Sequence, residues 1–165
     1  MKDPKRICVI VQTRLSSQRL PEKMIKPFAG TTLTDICLKK IRNLKEINPF
    51  EDFYLSAYED ELKDIAKNHG LKSFERSRES AFSEGTPLGE MYDWWDKLDY
   101  DYCILINACA PFLESSTIDS FIKYYREIEE DGLFGVMKKK NYFWDKEGKL
   151  ITTWTKTESC MTPLL

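Results

Sequence analysis

A loop rich in cations and hydroxyls follows the first apolar run of the chain, which ends at Gln12. Its candidate anion-binding side chains are Arg14, Ser16, Ser17, Arg19 and Lys23. Guanidinium groups present paired donors to phosphate oxygens, an ammonium supplies a point charge, and hydroxyls add short donors. The loop contains no glycine, so it is neither a Gly-rich dinucleotide loop nor a P-loop. The residues indicate a polyphosphate site, and a solvated polar loop is the alternative that charge alone leaves open.

The composition is that of one ordinary globular domain of 165 residues. The formal net charge is −2, whereas domains that bind nucleic acid are usually basic, so any anion site must be a local concentration of cations. No apolar stretch reaches the roughly 18–20 residues of a membrane span, and the first residues lack a signal-peptide cleavage region. We therefore expect a cytoplasmic chain that binds neither nucleic acid nor a membrane.

The cysteine and histidine content argues against a disulfide framework and against zinc. The five cysteines are scattered at positions 8, 37, 103, 109 and 160, with no C-x-x-C pair, which favours reduced thiols. The single histidine, His69, stands beside Gly70, where a predicted helix ends. We interpret His69 as a residue favoured by the helix dipole.

Strand and helix patterns alternate along the chain. Apolar runs predict strands at 6–12, 52–57, 71–75, 101–107 and 133–138. Helical spacing predicts helices over 31–44, 59–70 and 115–131, and another that starts at Pro87, and a hairpin is predicted to turn at 145–148. The fold class predicted is α/β, with a three-layer, mostly parallel sheet, helices on both faces and a small antiparallel hairpin.

The predicted topology places three loops at one edge of the sheet. Parallel sheets bind ligands beyond the carboxyl ends of their strands. Loops 12–24, 56–60 and 107–115 all follow predicted strands. The cation-rich loop should therefore lie at the ligand-binding edge.

The segment 13–33, "TRLSSQRLPEKMIKPFAGTTL", resembles the opening signature of the cytidylyltransferases that activate acidic sugars. These are the CMP-acylneuraminate and CMP-3-deoxy-manno-octulosonate synthetases and their spore-coat-polysaccharide relatives. The positions that fit are Arg14, Ser17, Arg19, Leu20, Pro21, Lys23, Gly30 and Leu33. The similarity continues in order through 53–81, 104–119 and 134–150, and "APFL" and "NYFWD" favour the acylneuraminate branch.

The resemblance implies a Rossmann-like sheet of the nucleotide-diphospho-sugar transferase type and a Mg²⁺-dependent reaction. In that reaction a hydroxyl of an acidic sugar attacks the α-phosphate of CTP and expels pyrophosphate, in surface-glycan biosynthesis. Carried over, the catalytic residues Arg14 and Lys23 hold the triphosphate, with Ser16, Ser17 and Arg19 beside it. Arg76 lies against the cytosine, and Asn107 faces the nucleotide or the sugar.

The sequence departs from this pattern where the family holds its metal. The octulosonate branch has an acidic residue in the turn after its central strand, where this chain has Cys109, a soft ligand poorly suited to Mg²⁺. The acylneuraminate branch takes its carboxylates from a later segment, which also supplies dimer contacts. Asp145 opens a predicted turn, so no metal ligand is identified.

Three interpretations follow for a single domain over 1–165 that lacks the family's C-terminal segment. The first is an active cytidylyltransferase, with a homodimer weakened by the missing segment. The second is a shortened, inactive nucleotide-binding homologue or a partner subunit, and the third is a stretch of a longer enzyme. A sugar nucleotidyltransferase that uses another base is a further alternative, which would need different contacts at Arg76 and Asn107. We expect the 165 residues to bind CTP and to turn over a sugar acid slowly or not at all.

Overall fold

The computed structural model describes residues 1–48, 50, 52–82, 86–136 and 141–152. The chain divides into two compact units, Met1–Asp131 and Gly132–Leu165. The first unit holds the sheet, its helices and all the cavities considered below. Among the described residues, no helix has the length and apolarity that a membrane crossing demands.

The first unit is built on a parallel sheet of four strands. The strands are β1 (Ile7–Gln12), β2 (Asp52–Ala57), β3 (Lys72–Glu75) and β4 (Tyr102–Asn107). Their order is β3-β2-β1-β4, and every pairing is parallel. Strand β1 is central and almost fully buried, as its continuous apolar run predicts. The prediction of an α/β fold with a parallel sheet is confirmed.

Three helices cover one face of this sheet. They are α1 (Leu33–Ile47), α2 (Asp60–Asn68) and α5 (Ser115–Glu127), and their apolar sides join the core around Val9 and Leu55. Helix α1 is capped at its start by Thr32, whose side chain accepts a hydrogen bond from the backbone N–H of Asp35, as the pairing of Thr32 with Asp35 in the sequence predicts. Helix α2 ends at Asn68, and Gly70 follows its C-cap with a φ of +68°, a conformation that suits glycine.

The other face of the sheet differs from the prediction. The helix that starts after Pro87 is only α4 (Leu88–Met91), preceded by the single turn α3 (Arg78–Ala81), and turns follow it over 92–97. Buried Trp94 packs on Cys8 and Ile10, while Trp95 lies exposed. Consecutive tryptophans cannot both face a sheet from one helix, and the turns allow Trp94 alone to be buried.

The predicted fifth strand is not formed in the described residues. Residues 133–136 have no strand pairing, and Phe134 and Val136 are exposed. Residues 137–140, with the lysines of the predicted strand end, lie outside the described part. The apolar run 101–107 predicts a central strand, whereas β4 forms one edge of the described sheet.

The second unit contains the predicted hairpin in reduced form. Trp144 and Leu150 form an isolated antiparallel bridge, and the backbone N–H of Ile151 donates to the carbonyl of Phe143 at 2.8 Å. Asp145 closes the turn by accepting from the backbone N–H of Lys149 at 2.8 Å. Asp145 therefore acts in the turn as the sequence predicts.

A buried carboxylate joins strands β2 and β3 at the edge away from the loops. Asp52 accepts hydrogen bonds from the hydroxyls of Tyr54 and Tyr100 and pairs with Lys72. Burial works to raise the pKa of Asp52, but the bonds from Lys72, Tyr100 and Tyr54 outweigh it and hold the pKa below its usual value. The ionised carboxylate therefore stabilises the fold above its unfolded pKa of about 3.9.

We expect Asp52→Asn to lower the free energy of unfolding at pH 7 by about 1–3 kcal/mol, because three donors lose a charged acceptor. The depressed pKa means that the wild-type advantage is lost as the pH falls through the folded value, below about pH 4. Urea unfolding at pH 7 and pH 3 checks this. The exposed Asp64→Asn is the control, and an equal loss for both variants at pH 7 would contradict the prediction.

Candidate functional site

A cavity of about 160 Å³ lies beyond the carboxyl end of β1, at the edge where the sequence predicts a ligand site. Its lining residues are Gln12, Thr13, Arg14, Lys23, Met24, Arg76, Ser80, Met91 and Cys109. They come from the loop after β1, the segment after β3 and the turn after β4. Pockets that take a whole drug-sized ligand measure about 300–1,000 Å³, so this cavity fits part of a nucleotide.

The guanidinium of Arg76 ties these segments together. Its side chain is buried, and its nitrogens donate to the carbonyl of Thr13 at 3.1 Å, to the hydroxyl of Ser80 at 2.9 Å and to the carbonyl of Met91 at 3.3 Å. It also donates to the carbonyl of Ser80. One side chain therefore fixes the loop after β1 against α3 and α4.

The cavity is cationic. Burial lowers the pKa of Arg76, the carboxylate of Asp93 raises it, and the charge of Arg14 lowers it again. An arginine stays protonated at neutral pH despite such shifts. Arg14 and Lys23 line the same space, so three cations surround it, and none of the described lining residues is a carboxylate. Such an arrangement stabilises a bound polyanion.

The loop 13–24 is shaped by its own backbone and by Glu59. The carboxylate of Glu59 accepts from the backbone N–H of Leu15 at 2.8 Å, and the carbonyl of Leu15 accepts from Glu22 at 3.0 Å. Glu22 has a φ of +56°, an uncommon left-handed conformation outside glycine. This turn immediately precedes Lys23, which lines the cavity.

The two serines of the loop that were predicted to bind an anion, Ser16 and Ser17, lie outside the cavity lining. Ser16 donates to the carbonyl of Ala81 at 2.9 Å, and Arg14 donates to the same carbonyl at 3.4 Å. Ser17 is buried, and neither serine lines the cavity. The loop residues are thus held against the end of α3, and the roles of Ser16 and Ser17 in nucleotide binding stay predictions.

Two further predicted residues lie outside the cavity lining. Arg19 is exposed on the loop. Asn107 is exposed at the end of β4, where its side-chain oxygen accepts from the backbone N–H of Cys109 at 2.8 Å. Asn107 therefore orders the turn that brings Cys109 to the cavity, and its contact with a nucleotide or sugar stays a prediction.

Several residues that line the cavity were not among the candidates predicted from the sequence. Gln12 is held by a bond to the carbonyl of Met91 at 3.1 Å and by the indole N–H of Trp94 at 2.8 Å. Ser80 accepts from Arg76 and lies 3.2 Å from the carboxylate of Asp93. A polar residue directly after a buried strand is the signal that could have found Gln12 and Thr13.

The donor set of the cavity does not suit Mg²⁺. Magnesium sites are built on carboxylates, whereas the charged residues of the described lining are three cations, which repel a metal ion. The other donors are the neutral oxygens of Gln12, Thr13 and Ser80 and the sulfur atoms of Met24, Met91 and Cys109. Across the described ranges, no group of three histidine, cysteine or acidic residues could hold a metal ion. The described residues therefore define no magnesium site.

The sequence is similar to one known protein family and to curated members of it. The family model described as Cytidylyltransferase matches residues 8–160. A curated relative, 3-deoxy-manno-octulosonate cytidylyltransferase of Rickettsia felis, is 26% identical over 136 residues, which are 80% of this chain and 52% of the relative. The chain thus spans about half the length of the curated relatives it matches.

Solved structures share the fold at low identity. A 4-diphosphocytidyl-2C-methyl-D-erythritol synthase from Anaerococcus prevotii gives a TM-score of 0.62 at 15% identity, covering 93% of this chain and 66% of its own. A CMP:2-keto-3-deoxy-manno-octonic acid synthetase complexed with CTP gives 0.57 at 11% identity, covering 74% and 48%. Rv0371c from Mycobacterium tuberculosis, a complex with manganese, gives 0.52 at 13% identity, covering 73% and 60%. These neighbours confirm the Rossmann-like fold.

We expect Lys23→Ala to weaken the binding of inorganic tripolyphosphate about tenfold or more, because a charge-assisted hydrogen bond is worth about 1.5–3 kcal/mol. Isothermal titration at low salt measures this. The control is Lys26→Ala, which removes the same charge from an exposed position outside the cavity. Equal losses of tripolyphosphate affinity in the two variants would show that binding depends on net charge alone and that Lys23 forms no specific contact with the ligand.

Proposed function

The chain belongs to the cytidylyltransferase family, and on that premise we propose that it transfers CMP from CTP to an acidic sugar with release of pyrophosphate. The observation that carries the proposal is the cavity in which Arg14, Lys23 and Arg76 meet at the carboxyl edge of the sheet. A triphosphate carries several negative charges, and Arg14 and Lys23 are the cations proposed to neutralise them. The curated relative acts on an acidic sugar by its name.

Arg14 and Lys23 are the residues proposed to hold the triphosphate. In the transfer, a bond forms between a sugar hydroxyl oxygen and the α-phosphorus as the bond from that phosphorus to the bridging oxygen breaks. Negative charge grows on the departing pyrophosphate, so cations fixed beside it stabilise the transition state more than the ground state. Arg76 is proposed to lie against the base, with Ser16, Ser17, Arg19 and Asn107 around the nucleotide.

The proposed acceptor is a nonulosonate of the acylneuraminate type, for a surface glycan, in the cytoplasm. Its support is the resemblance of the "APFL" and "NYFWD" segments to the acylneuraminate branch. The name of the curated relative makes the octulosonate the competing acceptor. Mg²⁺ and a homodimer remain proposals from the family resemblance, and no step here depends on either.

A second candidate function has one observation in its favour. Among the residues that the structure describes, no carboxylate lines the cavity, and Cys109 stands where the octulosonate branch has an acidic residue. An inactive nucleotide-binding homologue, or the partner of another subunit, would keep the cationic lining and dispense with hard metal ligands. The two candidates share CTP binding and differ in turnover.

We expect CTP to raise the melting temperature of the protein more than ATP or GTP at equal concentration, because a ligand that binds the native state stabilises it according to its affinity. Differential scanning fluorimetry with matched nucleotide and Mg²⁺ concentrations measures the shifts. Equal shifts for the three nucleotides would remove the cytosine assignment.

Pyrophosphate release separates the two candidate functions. The full-length protein is assayed with CTP, Mg²⁺ and either N-acetylneuraminate or 3-deoxy-manno-octulosonate. Release that requires one sugar acid supports transfer and names the acceptor class. Binding of CTP without release for either acid would exclude transfer by these 165 residues alone and favour either the inactive homologue or a stretch of a longer enzyme.

A further inference from the structure

The turn after β4, residues 108–113, has little apolar anchorage of its own. Ala108 is buried at its start, and Leu113 packs against the core at its end. Residues 109–112 between them include no buried side chain. Burial of apolar surface therefore cannot determine where 109–112 lie, and their position must depend on hydrogen bonds.

The hydrogen bonds within this turn give it a shape. The side-chain oxygen of Asn107 accepts from the backbone N–H of Cys109 at 2.8 Å, and the carbonyl of Asn107 accepts from Ala110 at 3.2 Å. The backbone N–H of Leu113 donates to the carbonyl of Ala110 at 3.2 Å. All these bonds join residues that are close in sequence, so they do not attach the turn to another element.

Lys40 of helix α1 attaches the turn to the rest of the first unit. Its Nζ donates to the carbonyl of Pro111 at 2.6 Å and to the carbonyl of Ala110 at 3.0 Å. Hydrogen bonds from an ammonium are charge-assisted and stronger than those between neutral groups. A second contact with a distant residue, from the thiol of Cys109 to the sulfur of Met24 at 4.0 Å, is weak.

Helix α1 thereby holds two neighbouring parts of the cavity wall. Cys109 and Met24 both line the cavity at the end of β1. The carbonyl of Met24 accepts from the hydroxyl of Thr34 at 2.8 Å, and Lys40 bonds the residues that follow Cys109. Thr34 and Lys40 belong to the same helix, so the two wall residues are placed relative to one rigid element.

We propose that Lys40 is a positioning residue for the nucleotide, because it holds the turn after β4 and so keeps Cys109 in place in the cavity wall. The inference rests on the function proposed above, which brings CTP to this cavity. Lys40 is not among the lining residues, so it acts through the turn. Without its ammonium the turn takes several positions, and the affinity for a ligand falls with the fraction of molecules whose wall is in place.

Lys40→Met tests the proposal, because methionine keeps an unbranched apolar chain and removes the ammonium. Isothermal titration of the full chain measures the Kd values for CTP and for inorganic tripolyphosphate. We expect both Kd values to rise about three- to tenfold, as the wall leaves its place in most molecules. Hydrogen exchange followed by NMR should accelerate more at the backbone N–H groups of Cys109 and Ala110 than at that of buried Val9.

Lys39→Met is the matched control, because it removes the same charge from the exposed neighbour of Lys40 on the same helix. Its Kd values should match those of the wild-type protein. Lys40→Arg should recover most of the affinity, since a guanidinium can still donate to both carbonyls. Lys40→Gln, which is also uncharged, replaces Lys40→Met if that variant does not fold.

Two results would overturn the role of Lys40. One is an equal loss of affinity in Lys39→Met and Lys40→Met, and the other is unchanged affinity in Lys40→Met despite faster exchange at the turn. The second result would leave Lys40 a purely structural role. Failure of the wild-type protein to bind CTP overturns the proposed function, and the tripolyphosphate affinities then decide the role of Lys40 by themselves.

Discussion

The candidate site depends on the buried guanidinium of Arg76. This group follows β3, yet it bonds the carbonyl of Thr13 after β1, both oxygens of Ser80 and the carbonyl of Met91. No carboxylate of the described part of the chain forms an ion pair with it, and Asp93 acts through Ser80, whose hydroxyl lies 3.2 Å from the carboxylate. A buried charge without an ion partner is stabilised only by many well-placed acceptors, and removing any of them leaves both sides unsatisfied. Burying the guanidinium without these bonds would destabilise the protein. The bonds therefore hold the loop after β1, α3 and the end of α4 in one arrangement.

That arrangement determines what the cavity can bind. Most N–H groups of Arg76 bond other parts of the protein, so Arg14 and Lys23 are the lining cations available to contact phosphates. The side chain of Glu59 fixes the loop from the other side through Leu15. The loop is thus shaped before any ligand arrives, and a prearranged set of charges stabilises a developing charge without reorganising.

The sequence predicts the elements whose signals are local or periodic. Strand β1, the cap at Thr32 and the stop at Gly70 follow from apolar runs, a hydroxyl and a glycine, each readable within a few residues. The helix after Pro87 was overestimated, because apolar residues at 91, 94, 95 and 98 match helical spacing although only Trp94 is buried. Helical periodicity in a sequence cannot show whether the second face of the sheet is covered by a helix or by turns.

The residues of the candidate site also divide into those that local sequence patterns predict and those that depend on the tertiary structure. The loop and its cations at 14 and 23 were predictable from charge and from the family resemblance, since both are sequence patterns. The contributions of Thr13, Ser80 and Glu59 were not, because each depends on a hydrogen bond to a residue in another segment of the chain. Burial of Arg76 also could not be seen, and it changes the expected role of that residue from base contact alone to support for the whole cavity.

The most direct measurement is the affinity of Arg76→Lys for inorganic tripolyphosphate. A lysine is a point charge and cannot reach four acceptors at fixed angles, although the net charge is unchanged. If Arg76 holds the cavity together, the variant should lose at least about tenfold in affinity for this ligand, which carries no base, as the loop that bears Arg14 and Lys23 loosens. Tripolyphosphate binding equal to that of the wild-type protein, in a variant with a cooperative unfolding transition, would contradict the account.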